Sequence, residues 1–170
     1  MAVDKYLSNN AGVIQEVQAT VQSVGSGSAG KIPGLDSSGR LDTSVMPVGI
    51  GAETILLPAT EGLAAGAWVN IYNAAGTMSV RNADATVAGK EANGFVLASV
   101  TQSNNATVYL AGANTSLSSL TLGSNYFLST TPGVGSASAP SGSGNIVQRL
   151  GKAVSATEIA FQPSDPITLA

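Results

Sequence analysis

From residue 51 to its end the chain is a succession of short β-prone runs, each closed by Gly, Asn, Ser or Pro, a pattern that favours strands and tight turns over helices. Ala67-Trp68-Val69-Asn70-Ile71-Tyr72 sets Trp68, Asn70 and Tyr72 against Val69 and Ile71, the period-two signature of a strand. Asn73-Ala74-Ala75-Gly76 then supplies a hairpin turn, with Thr77–Arg81 as the returning partner. Gly94–Val100 is a nearly continuous apolar run of the kind buried on both faces. Ala106–Leu110 follows the Ser103-Asn104-Asn105 turn as a further strand, and Thr60–Ala65 is at most a turn.

The same order then returns. Gly123–Ser129 matches Gly66–Tyr72 in position and type, and Thr130-Thr131-Pro132-Gly133 matches the Asn73–Gly76 turn. Val134–Pro140 corresponds to the Thr77 strand, Ile146–Val154 to the Gly94 run, and Glu158–Gln162 to the closing strand. The expected fold is therefore all-β, with about eight short strands forming a small barrel or a two-sheet sandwich. Tandem units at 51–112 and 113–170 would make up a β domain over 51–170.

Residues 1–50 have another character. Val13, Ile14, Val17, Val21 and Val24 recur at steps near those of a helical face, yet the stretch also alternates and is rich in β-branched residues. A short helix and an extended contact segment both fit. A flexible Gly25–Gly30 linker follows. Beyond it, Ile32, Leu35, Leu41, Val45 and Met46 stand singly among turn formers and cannot pack on one another. Such an arm is expected to be extended and to become ordered against a partner. Its contact residues, to the partner or between subunits, would be Val13, Ile14, Val17, Val21, Ile32, Leu35, Leu41, Val45 and Met46.

The chain has enough apolar residues to fold, but only 10% of its residues are charged, against about 25% in an average soluble domain. Its polar surface must come from Ser, Thr, Asn, Gln and Gly, which suits extensive contact with protein. A net charge of −3, with seven basic residues scattered singly, argues against nucleic-acid binding. Without cysteine there are no disulfides or thiolate metal sites, and without histidine the commonest general base is missing. Met1–Tyr6 has no apolar h-region, and no apolar run approaches the ~18 residues that span a bilayer, so neither export nor membrane insertion is expected.

Catalytic patterns are equally sparse. Counted from Asp36 as a calcium loop, position five is the cation Arg40 and position twelve is Pro47, which leaves a solvated turn as the better reading. Glu53, Glu61, Asp84, Glu91, Glu158 and Asp165 show no spacing that favours a glycosidase pair. The Ser-Gly-Ser-Gly stretches at 25–28 and 141–144 lack the lysine of a phosphate loop. No enzyme activity, cofactor or metal is expected.

Gly30-Lys31-Ile32-Pro33-Gly34-Leu35-Asp36-Ser37-Ser38-Gly39-Arg40-Leu41-Asp42, running on to Val45-Met46-Pro47-Val48-Gly49-Ile50-Gly51, resembles a segment of tailed-bacteriophage virion proteins, particularly capsid decoration (cement or head-fibre) proteins. Tyr126–Ser129, Pro140-Ser141, Asn145–Gly151 and Ser164-Asp165-Pro166 are similar to phage structural proteins as well. The resemblance implies a small β protein, commonly a homotrimer, assembled in the host bacterial cytoplasm. It would bind the outer surface of the capsid, bridge major capsid protein subunits and stabilise the shell. The alternative is a tail-fibre, spike or head-fibre module that binds host-surface carbohydrate, for which exposed aromatic side chains together with Asn or Asp at loops such as 82–93 and 101–106 would be the mark.

Overall fold

The computed structural model describes residues 4–46 and 51–170; Pro47–Ile50 of the phage-like segment lie outside the described residues. The chain is all-β, and among the described residues the only helical pieces are two 3-10 turns, Gly25–Ser28 and Thr43–Val45. It divides into two compact units, Met1–Gly51 and Ala52–Ala170.

The first unit opens with a hairpin of β1 (Lys5–Asn10) and β2 (Val13–Gln18). Residues 13–18 are thus a strand, and the helical spacing of Val13, Ile14 and Val17 is incidental. The turn decides this locally. Ala11 and Gly12 both take positive φ, 52° and 90°, as a type I′ turn requires, and Asn9 Oδ1 accepts from Gly12 N at 2.8 Å.

The second unit holds two five-stranded antiparallel sheets. The first comprises β3 (Thr54–Pro58), β4 (Trp68–Ala74), β5 (Thr77–Asn82), β6 (Gly94–Phe95) and β7 (Asn105–Tyr109), in the order β3-β7-β6-β4-β5. The second comprises β8 (Gly112–Asn114), β9 (Asn125–Leu128), β10 (Gly135–Ser136), β12 (Arg149–Ala153) and β13 (Ile159–Phe161), in the order β10-β9-β12-β13-β8. The intervening β11 (Ile146–Val147) pairs instead with β14 (Ile167–Thr168). Read from the opposite edge, the second sheet has the same path as the first. In each, the first strand of the set lies on one edge, beside the fifth, and the second and third form a hairpin at the other edge.

Two glycine pairs mark equivalent places in these paths. Gly66 and Gly123 both have φ of 77° and both donate to the strand opposite, to Val96 O and Ala153 O at 2.9 Å. Gly94 and Gly151 sit where a side chain would meet the neighbouring strand. A Cβ on Gly94 would lie 2.5 Å from Tyr109 O, and one on Gly151 would run into Ala160 O.

Alternation along β4 builds two apolar layers. Val69 joins Leu57, Val80, Val96, Ala106 and Val108 on the concave side of the first sheet, beneath Ala59 and Leu63. A parallel bridge between Ala59 and Val80, with Thr60 N donating to Val80 O at 3.0 Å, brings the two edges of that sheet together into a small barrel. Trp68 faces the other way. With Phe95 it packs against Tyr126, Leu128, Leu150, Ile159 and Phe161 of the second sheet. Trp68 lies edge-on to Phe95 with ring centres 5.7 Å apart, and its centre is 5.3 Å from that of Phe161. Buried Gln148 ties the 83–93 loop into this layer, donating to Ala92 O at 3.0 Å and accepting from Ala92 N at 2.8 Å.

Gly94–Val100 leaves the regular ladder after Phe95, because Val96 and Val100 bond instead to the 63–67 segment. The run remains apolar because Phe95 and Val96 face opposite layers. Ala substitution at Gly94 or Gly151 should destabilise the second unit by about 1–3 kcal/mol through overpacking. Gly62→Ala, with open space and no positive φ, should stay within about 0.5 kcal/mol. Thermal melts of the three variants check this, and equal melting temperatures would contradict the tight strand contacts.

Candidate interaction surface

The first unit is held by polar contacts rather than by a core. Past the hairpin, Thr20 N donates to Ile32 O at 3.0 Å and Gly34 N to Thr20 O at 2.8 Å, which lays the 32–34 segment parallel to the extension of β2. Tyr6 Oη accepts from Ile32 N at 3.3 Å. Asp36 Oδ1 accepts from Ser38 N at 2.8 Å and Arg40 N at 2.9 Å, so the carboxylate organises its own turn. Ser23 N donates to Ser44 Oγ at 2.8 Å and Gln22 Nε2 to Asp42 Oδ2 at 3.2 Å, joining the segment before the first 3-10 turn to the second. The Lys5–Glu16 ion pair spans the hairpin on an exposed face, where such pairs contribute little.

No residue described in this unit is buried. Half of the exposed large apolar side chains among the described residues fall here, in about a quarter of the chain, so the unit is where apolar surface lacks cover. Val17, Val21 and Val45 are half-buried, while Val13, Ile14, Ile32, Leu35, Leu41 and Met46 are exposed, Leu35 at 60%. The hairpin register sorts the first of these. Ile14 shares a face with Leu7, whereas Val13 and Val17 share the opposite face with Tyr6. Leu7 and Val24, absent from the sequence-derived contact set, are the most exposed, at 74% and 76%. The Asn-x-Ala-Gly pattern that turns both Asn9–Gly12 and Asn73–Gly76 is the signal that reveals Leu7, because it turns residues 5–18 into a ribbon with two faces.

The second unit offers little chemistry. Three grooves of about 280, 270 and 330 Å³ are lined by Ala64–Trp68 with 116–120, by 129–145, and by Leu97–Val100 with Asn105–Tyr109; none is lined by a carboxylate, lysine or arginine. Two of the carboxylates that could have acted as acids or bases serve to hold nearby chain instead. Asp84 Oδ1 accepts from Thr86 N and Oγ1, and Glu61 Oε1 accepts from Asn82 N and Nδ2. Among the described residues no three His, Cys, Asp or Glu side chains group as a metal site, and no helix is long and apolar enough to cross a membrane. Trp68, Phe95, Tyr126 and Phe161 are buried, and Arg81 covers the Tyr72 ring at 4.0 Å. Comparison with protein families, curated proteins and solved structures finds no match to this chain.

Asp42 caps the second 3-10 turn, its side chain accepting from Ser44 N at 2.9 Å. Hydrogen bonds from Ser44, with a further one from Gln22, hold its carboxyl below the ordinary aspartate value. Because the folded-state value is lowered, these bonds favour the ordered arrangement above the ordinary aspartate range. The effect is lost as pH falls through the lowered value. The Ser44 amide resonance should therefore titrate with a midpoint below about 3.9; a midpoint at or above it would contradict the cap.

Proposed function

We propose that this chain is a non-enzymatic structural protein of a bacteriophage particle that binds the outer surface of the capsid and bridges major capsid protein subunits. The observation that carries the reading is the contrast between the units: 52–170 buries its own apolar side chains, and 4–46 buries none. Apolar side chains held out on a polar scaffold are a surface for another polypeptide. The phage-like Gly30–Asp42 stretch lies within this scaffold and contributes Ile32, Leu35 and Leu41 to its surface. Several copies attached at once would hold far more firmly than one, because each later contact is made at high effective concentration. Loops 82–93 and 101–106 carry Asn and Asp but no aromatic side chain, so the combination that carbohydrate binding calls for is incomplete there.

Mixing the pure protein with empty phage shells and centrifuging through a gradient tests the reading. Co-sedimentation at a fixed ratio to capsid subunits is expected, and a protein that stays at the top of the gradient would overturn it. Deleting residues 1–50 should leave a folded β domain that no longer attaches. Leu35→Ser with Leu41→Ser in the full chain should weaken attachment about a hundredfold to ten-thousandfold per copy, given roughly 1.5–3 kcal/mol for each leucine buried.

A further inference from the structure

Among the described residues the hairpin has one free edge. Ala19 N donates to Asp4 O at 2.9 Å, which fixes the alternation of the ladder. Tyr6, Ser8 and Asn10 exchange bonds with Val17, Gln15 and Val13, so the backbone N–H and C=O groups of Lys5, Leu7 and Asn9 point away from β2. The outer edge of β2 is not equivalent, because its extension at Thr20 is taken by the 32–34 segment. Along β1 no such neighbour is present among the described residues. Proteins blunt free edges with proline, bulges or unpaired lysines. β1 has neither proline nor bulge, and its single lysine is paired with Glu16.

We propose that β1 pairs antiparallel with β1 of a second copy of this chain, about a two-fold axis at Leu7, so that two hairpins become one four-stranded sheet. The register is self-complementary, as an isologous contact must be. Leu7 meets the partner's Leu7 and Lys5 meets the partner's Asn9, so no like charges oppose, and each Lys5 keeps its own Glu16. The equivalent pairing through β2 would centre on Glu16 and oppose two carboxylates. A lone two-stranded ribbon is marginal in water, whereas four strands with an apolar patch are not. Here Leu7 and Ile14 of both copies share one face of the joined sheet. The contact is two-fold where the phage resemblance implies a three-fold, and it does not depend on the capsid reading.

The full chain contains no cysteine, so single thiols report the register directly. In a hydrogen-bonded antiparallel pair the Cα atoms lie about 5.5 Å apart, within the range a disulfide spans. Leu7→Cys should therefore form a covalent dimer on mild oxidation, and Ile14→Cys, exposed on the same face but on β2, should not. Light scattering of the wild-type protein should give the mass of two 16.8 kDa chains. Leu7→Pro removes only an outward N–H, leaves the ladder to β2 intact and should give one chain. If amide exchange shows that this variant melts the hairpin, the cysteine pair alone decides. A wild-type mass of one or three chains, or Ile14→Cys linking as readily as Leu7→Cys, would overturn the proposal.

Discussion

Trp68 is the side chain on which the second unit turns. It lies on a strand whose next residue, Val69, lines the barrel, so β4 is a wall of one apolar layer and the floor of another. Through Trp68 and Phe95 the first sheet supplies aromatic area to the second, which answers with Phe161, Leu128 and Leu150. Aromatic pairs at these edge-on and tilted geometries add to simple burial. The two sheets follow one path but bury differently. The first closes on itself through the Ala59–Val80 bridge, and the second rests on the outside of the first.

Nothing comparable exists in 4–46. Its order rests on backbone N–H groups donating to serine, asparagine and aspartate side chains at or near the surface, each bond contributing about 0.5–1.5 kcal/mol net at best. Against this stands a backbone ordering cost of about 1–2 kcal/mol per residue. In the proposed reading such a unit is a template whose shape is set by turns and whose further stability would come from the protein laid over it. The low charge of the chain fits that role, since few of its surface groups resist desolvation when protein is laid over them.

Much of the β domain was legible because turn chemistry and period-two alternation agree there. Asn73–Gly76 gives the β4–β5 hairpin, and the Gly66 and Gly123 strands, their turns and their partners follow one another in matching order. What the sequence hid were places where pairing departs from a regular ladder. Gly94–Val100 reads as one strand but switches partner after Phe95, and Val134–Pro140 pairs only through Gly135 and Ser136. In the first unit, valines spaced like a helical face leave helix and extended segment both open, and the Ala11–Gly12 turn decides for the strand. Leu7 escaped notice because its flanking residues offer no apolar period; it becomes a surface residue only once the hairpin exists.

Hydrogen exchange on the free protein and on decorated shells tests the central claim most directly, namely that the 29–46 segment lacks an interior of its own. Its amides should exchange within seconds in the free chain, while those of β4 and β12 resist, and should slow by orders of magnitude on the particle. Protection of 29–46 in the free chain equal to that of β4 would mean the segment is already sheltered, and would contradict the account.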